Sequence, residues 1–233
     1  ASYNIRKSIG TDRRRQPERI MKILAEIDAD IVALQEVDRR FGERATTLSP
    51  DLLVDFTNYM PVRFGIREQS LGWHGNVLLV KKGIEVRNPQ RIELPAFEPR
   101  GAVMADVVID GTAMRVVGMH LGLLGNSRMK QADAIVSHLE KLEQHMPTVI
   151  MGDLNQWAVD GKCLVAFARH HDVIPLGPSF HSRRPMLQLD RIITSRDFRL
   201  ESAGVHRTAL ARTGSDHLPV WASLSLQRAE AAA

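Results

Sequence analysis

The segment AVMADVVIDGTAMRVVGMH, residues 102–120, decides the fold. Two apolar-rich stretches, 102–109 and 114–120, flank Asp110-Gly111, a dipeptide suited to a tight hairpin turn because both residues tolerate positive φ. The segment predicts an antiparallel hairpin. The next stretch of chain has a different period. From about 127 to 144 the residues Met129, Ala132, Ile135, Val136, Leu139 and Leu142 recur at helical spacing, and 147–152 is apolar again. A hairpin followed directly by strand–helix–strand calls for a mixed sheet, not a doubly wound parallel one.

Strands and helices also alternate toward the N-terminus. Residues 2–6 read as a strand, and Pro17 opens a helix at a position where its missing N–H costs nothing. Ile20, Ile23, Leu24 and Ile27 give that helix an apolar face, and 28–30 end it. Residues 31–37 then form a near-continuous apolar strand of the kind buried on both faces. Ser49-Pro50-Asp51 starts a second helix running to about 60, followed by strands at 62–66, 76–81 and 84–94. Beyond the long helix come a helix at 161–170 and strands at 188–194, 198–206 and 219–226. The pattern implies two sheets with helices outside them. There is no repeat or composition break, so residues 1–228 read as one domain, with 229–233 as a frayed tail.

Composition narrows the possibilities. With 233 residues the chain is long enough for a sizeable core. Its apolar runs, such as 31–34 and 77–80, fall far short of the roughly 20 residues needed to span a bilayer, so no transmembrane helix is expected. Cys163 is the single cysteine, which forbids an intrachain disulfide, and without a CxxC motif it reads as a buried, inert thiol. The expected compartment is the cytoplasm. The chain starts at Ala1 without an initiator Met, so export by an upstream signal sequence is the alternative. The formal charge is +4, and basic residues cluster at Arg13-Arg14-Arg15, Arg39-Arg40 and Arg183-Arg184. These are either solvated loop patches or a surface that attracts phosphates. The few aromatic residues give little sign of base-stacking platforms.

Five segments place ligand-type residues at the ends of apolar strands: Asn4, Gln35-Glu36, His120, Gly152-Asp153-Leu154-Asn155 and Ser215-Asp216-His217. A sixth, Leu189-Asp190-Arg191, sets an acid inside an apolar strand, where a carboxylate is costly without a partner or a metal. Each has a plainer reading. Asn4 can hold a turn, Glu36 can face solvent at a strand end, and His120 can be structural. Asp153 and Asn155 can form an Asx turn. Read for chemistry, Glu36 is a hard oxygen donor suited to Mg²⁺ or Mn²⁺. Asp153 and Asn155, two apart in extended chain, point to one side. His217 needs a carboxylate to fix its tautomer, and Asp190, on another strand, is better placed than adjacent Asp216.

Taken in order from Asn4 to Pro219, these motifs resemble the endonuclease/exonuclease/phosphatase superfamily, which includes secreted deoxyribonucleases, exonuclease III-type abasic-site enzymes, neutral sphingomyelinases and inositol polyphosphate phosphatases. The resemblance implies a four-layered α/β/β/α sandwich with the site at one edge of two mixed sheets. It implies a divalent metal, usually Mg²⁺, held mainly by Glu36 with help from Asn4 and Asp216. It gives Asp153 the attacking water and Asn155 a phosphate oxygen. His217, paired with Asp190, would contact the scissile phosphate, and His120 and Arg100 would bind phosphate from the other side. Two places depart from family patterns. Glu36 is followed by Val37-Asp38 where abasic-site enzymes carry an aliphatic residue and Lys, and Trp73-His74-Gly75-Asn76 lacks the glutamate of secreted deoxyribonucleases.

The resulting expectation is a metal-dependent phosphoesterase acting on a phospholipid headgroup, another small phosphodiester or a phosphomonoester, with no obligate protein partner. A Mg²⁺-dependent nuclease is the alternative, and a catalytically inactive binding module is the third reading. Substrate choice is expected to lie in loops 42–50, 67–75 and 123–126.

Overall fold

Successive residues of the central strands enter different cores. In the strand Ile31–Gln35 (β2), Val32 and Leu34 join one apolar cluster and Ala33 another. The strand Gly101–Ile109 (β6) sends Ala102 and Met104 to a third cluster, and Val103, Ala105 and Val107 to the one that holds Ala33. Period-2 burial on two sheets at once produces three cores, hence four layers.

The computed structural model describes residues 1–40, 42–64, 69–95, 98–158 and 161–227. Its other strands are Ser2–Asn4 (β1), Tyr59–Pro61 (β3), Val77–Lys81 (β4), Glu85–Glu93 (β5), Thr112–His120 (β7), Thr148–Asp153 (β8), His171–Val173 (β9), Asp190–Ser195 (β10), Phe198–Val205 (β11) and Val220–Leu226 (β12). One sheet has the order β11-β12-β1-β2-β4-β3 and the other β5-β6-β7-β8-β10-β9. Both are mixed: β1 pairs with β2, and β7 with β8, in parallel, among otherwise antiparallel neighbours. The helix Pro17–Ile27 (α1) packs on the outer face of the first sheet through Ile20, Ile23 and Leu24. Gly125–Glu140 (α3) and Lys162–Ala168 (α4) cover the second through Ala132, Ile135 and Phe167. Full burial of an aliphatic side chain such as Leu34 is worth roughly 1.5–3 kcal/mol. Leu34→Ala would cost about 2–5 kcal/mol, because a cavity is added to the lost transfer energy.

The sandwich and the hairpin at Asp110-Gly111 are as expected, and the two turn residues have φ of 49° and 76°. Several boundaries move. The second helix is Pro50–Phe56 (α2), not 50–60. Thr57 ends it: its hydroxyl donates to Leu53 O and accepts from Tyr59 N at 3.1 Å, which draws the chain into β3. The strand expected at 62–66 is therefore at Tyr59–Pro61. Val62 and Phe64 still enter the inter-sheet core, while 65 and 66 lie outside the described residues. The first strand stops at Asn4 because Arg6, Lys7 and Ser8 form a turn with φ between 47° and 58°. β2 stops at Gln35 because Glu36 has φ 55°. β9 and the short helix Ala209–Gly214 (α5) had no distinct apolar period to announce them. The tail 229–233 lies outside the described residues. No helix among the described residues is long and apolar enough to cross a membrane.

Candidate active site

The inner face of the sandwich changes character at one end. Along β8, Val149 and Met151 lie in the inter-sheet core, and Asp153 is the next residue in that row. β7 runs Val116, Gly118, His120 in the same way, and β10 begins with Asp190 ahead of Ile192. The registers align these ends: His120 and Asp190 both stand opposite Asp153. Across the sandwich, Asn4 ends the inner row of β1, in register with Gln35. The apolar core thus gives way to a polar cluster simply by continuing the strand alternation. Asp153 is delivered by Gly152, where a Cβ would lie 1.9 Å from the carbonyl oxygen of Met119, so no larger residue fits.

Asn4 Nδ2 donates to Asp153 Oδ2 at 2.9 Å, and its Oδ1 accepts from Arg6 N at 3.1 Å. Asp153 Oδ1 accepts from Asn155 N at 2.9 Å. That bond is the Asx turn of the plainer reading. It coexists with a place in the polar cluster, because Asn155 Nδ2 lies 3.2 Å from His120 Nε2 and donates to Leu121 O at 2.9 Å. Asn155 has φ 50°, so it reaches the cluster through a turn, not through the extended-chain alternation expected for 153 and 155.

Asp190 is fully buried, and its Oδ2 accepts from His217 Nδ1 at 2.8 Å and from Ser179 Oγ at 2.5 Å. His217 Nε2 is 3.7 Å from Asp153 Oδ2, and His120 Nε2 is 3.4 Å from the same oxygen. Phe180 packs on the His217 ring with centroids 5.0 Å apart. The two imidazoles are driven in opposite directions. Burial would lower His217, but Asp190 and Asp153 outweigh it and hold the ring up at about 10. Burial pushes His120 down to about 4, with Asp153 pulling upward and Arg100 adding to the fall. The surroundings therefore favour the charged form of His217 and the neutral form of His120. Arg100 Nη1 lies 2.9 Å from both nitrogens of His120, while Nη2 pairs with Glu98 at 3.2 Å.

Glu36 sits beside this cluster. Burial opposes its ionisation, but His120, Lys7 and Arg100 outweigh burial and hold the carboxyl down at about 2. It is ion-paired with Lys7, and Asp216 with Arg6 at 3.3 Å. Two sets of atoms can therefore hold a cation. One is the Glu36 carboxylate, with Asp216 as the further acid that the family resemblance implies. The other is Asp153, Asp190 and His217, whose ligand atoms lie within 4.8 Å of one another. In the second set Asp190 Oδ2 is shared between His217 Nδ1 and Ser179 Oγ, while its Oδ1 is buried without a hydrogen-bond partner. Glu36, ionised and a hard donor, fits a divalent cation better. Both side-chain ends of Asn4 are already engaged, one by Asp153 and the other by the Arg6 amide.

Sequence reasoning missed Lys7, Ser179 and Phe180. Lys7 lay beyond what read as a strand end, and Ser179-Phe180 carry no pattern that marks them as Asp190 and His217 neighbours. Cys163 is buried, and burial pushes its thiol up.

Known proteins share this architecture. The chain is 28% identical over 168 residues to the uncharacterized protein YbhP of Escherichia coli strain K12, an alignment spanning 66% of this chain and 64% of that protein's length. A mannosyl-6-phosphatase of Bacteroides thetaiotaomicron superposes with a TM-score of 0.76 at 18% identity, covering 97% of this chain and 98% of that one. TDP2 of D. rerio, solved with a single-strand DNA product, gives a TM-score of 0.72 at 14% identity over 96% and 97% of the two chains. The model of the Endonuclease/Exonuclease/phosphatase family matches residues 1–217, and the chain belongs to that family.

Proposed function

We propose that the chain, acting as one catalytic unit, is a divalent-metal-dependent hydrolase that cleaves a phosphodiester, or a phosphomonoester, by in-line attack of water. The observation that carries this reading is the charge-separated cluster at the sheet ends. Asp153 is oriented by Asn4, and the Asp190–His217 pair holds an imidazolium next to a neutral His120. Strongly perturbed titratable groups gathered in one cleft are the pattern expected of a catalytic site.

In this reading Asp153 orients the water and accepts its proton as the oxygen–phosphorus bond forms. The His217 imidazolium, kept charged by Asp190, stabilises the negative charge that builds on the phosphoryl oxygens as the leaving oxygen departs. Asn155 Nδ2, His120 and Arg100 bind the remaining oxygens. Glu36, with Asp216 and Asn4 nearby, is the proposed holder of Mg²⁺ or Mn²⁺. A bound divalent ion supplies Lewis-acid polarisation and offsets developing charge. The free, buried Cys163 suits a reducing compartment such as the cytoplasm.

A nuclease is the second reading, favoured by Trp157. That side chain is 68% exposed, four residues past Asp153, and can serve as a stacking surface. The test is an activity panel in Mg²⁺ covering plasmid, single-stranded and abasic-site DNA, RNA, phospholipids, inositol phosphates and bis-p-nitrophenyl phosphate. Hydrolysis that disappears with exhaustive EDTA and returns with Mg²⁺ is the expected result. Full activity in EDTA contradicts the proposal.

A further inference from the structure

Residues 37–40 and 42–47 flank the cavity beside the site and are pinned to one another. Thr47 N donates to Val37 O and Arg39 N donates to Ala45 O, each at 3.0 Å. Asp38, 6% exposed, accepts from Ser70 Oγ at 2.6 Å, Leu71 N at 3.1 Å and Gly72 N at 3.3 Å. Burial still outweighs these donors and pushes the carboxyl up. Among the described residues no ion pair joins Asp38 to the arginines beside it.

A two-residue turn faces these residues. Trp73 and Asn76 exchange both backbone hydrogen bonds at 2.9 Å, with His74 at φ 49° and Gly75 at φ 79°. Two successive positive φ values make the primed hairpin turn that glycine favours at its second position. The turn is pressed on Glu36, since a Cβ on Gly75 would lie 3.4 Å from Glu36 Cα, and Val37 N donates to Gly75 O at 3.1 Å. His74 is thereby held with its Nδ1 3.0 Å from Arg44 Nη1.

Arg39, Arg40, Arg44 and His74 line one cavity together with the carboxylates of Glu36 and Asp38 and with His120. Lys7 and Arg100 also border it but are paired with Glu36 and Glu98. Among the described residues, Arg39, Arg40 and Arg44 take part in no ion pair. Arg39 and Arg40 are exposed and Arg44 is half-buried, so an anion entering the cavity meets three positive charges that no carboxylate neutralises by an ion pair among the described residues. Guanidinium also matches phosphate geometry through paired N–H donors.

We propose that this cavity is a second anion subsite, which makes the preferred substrate a phosphoester carrying another phosphate a short distance from the one being cleaved. The subsite rests on the phosphoesterase reading for its relation to the scissile group. Arg39, Arg40, Arg44 and His74 come from two loops outside the sheet-end cluster but share its cavity with Glu36, Arg100 and His120, so a phosphate held by them lies beside the one being cleaved. A phosphorylated small molecule and the neighbouring phosphate of a nucleic acid supply the same group.

The experiment uses the full chain in Mg²⁺ with two diesters that differ at one end, p-nitrophenyl propyl phosphate and p-nitrophenyl 3-phosphopropyl phosphate. The phosphorylated diester is expected to show a KM lower by about tenfold, the effect of one charge-assisted contact. In Arg44→Ala the ratio of kcat/KM between the two diesters falls toward one, and Arg44→Lys keeps part of it, with thermal melts confirming that both variants fold. Equal KM values, or an Arg44→Ala effect of the same size on both diesters, overturn the subsite. The same comparison between TpT and pTpT identifies the source: a matching preference assigns the second phosphate to nucleic acid, and a preference confined to the propyl pair assigns it to small molecules. If neither diester is cleaved with any divalent ion, the subsite is judged by binding alone, and the hydrolase reading fails only if nothing in the activity panel is cleaved either. Trp73, whose ring centroid is 4.3 Å from that of His74, then reports by fluorescence. Tighter binding of 1,3-propanediol bisphosphate than of propyl phosphate, weakened in Arg44→Ala, supports the subsite, and equal binding of the two overturns it.

Discussion

Asn4 Nδ2 donates to Asp153 Oδ2 at 2.9 Å and so joins the end of one sheet to the end of the other. The bond is buried and charge-assisted, and both partners end inner rows of the sandwich. Hydrogen bonds to charged groups contribute about 1.5–3 kcal/mol. Asn4→Ala is expected to destabilise the protein by that order, read from the urea midpoint, and to lower kcat because Asp153 loses its orientation. An unchanged midpoint with unchanged kcat would show that the two sheet ends are held by other means.

Asp153→Ala and His217→Ala are each expected to lower kcat by about 10²–10⁴, the range of a general acid–base group. Circular dichroism should show the fold retained, since both residues stand at the edge of the apolar core. Near-normal turnover on the best substrate in the panel would mean that the roles are misassigned.

The Asp190–His217 pair makes a prediction about pH. His217 is held at about 10 in the folded protein, above the ordinary imidazole value of about 6.5. Its contribution to stability is fully present below that ordinary value and is lost as pH rises through about 10. Asp190→Asn removes the nearest negative charge and should bring the His217 titration back toward neutrality, observed as the ring-proton shift in the metal-free protein. A His217 ring already neutral at pH 7 in the unmodified protein would contradict the charge assignment.

Cys163 is 1% exposed, and its Sγ donates to Gln156 Oε1 at 3.5 Å. Cys163→Ala is expected to keep full turnover and to lose about 1 kcal/mol of stability, as for trimming a small buried side chain. A collapse in kcat with an intact fold would place the thiol in the chemistry.

Much of the architecture was legible because it is written in periods. The alternation of residues 102–109 and 114–120, broken by Asp110-Gly111, gave the hairpin, and the spacing from Met129 to Leu142 gave the crossover helix. Asn4, His120, Asp153 and Asp190 were legible for a related reason: each interrupts an apolar row. Backbone reversals were not. The turn that brings Lys7 to Glu36 has three successive left-handed residues, Arg6, Lys7 and Ser8, none of them glycine, so nothing in the residue types announced it. Thr57 ended a helix with its hydroxyl where propensity would have continued it. Arg44 and His74 meet only because a pinned loop and a primed turn face each other, and such a contact between distant loops leaves no periodic trace.

The continuation of the inner strand rows into Asn4, His120, Asp153 and Asp190 also bears on how the sequence can change. A single residue inserted into β7, β8 or β10 would rotate that strand's polar terminus onto the helix-covered face and carry an apolar neighbour into its place. The strands therefore act as rulers that tolerate exchange of side chains but not of length. The arginine loop and the His74 turn are under no such count. Descendants of this chain can lengthen, shorten or recharge those loops while the sheet-end cluster stays in register, so changes in what the cavity binds should arise there first.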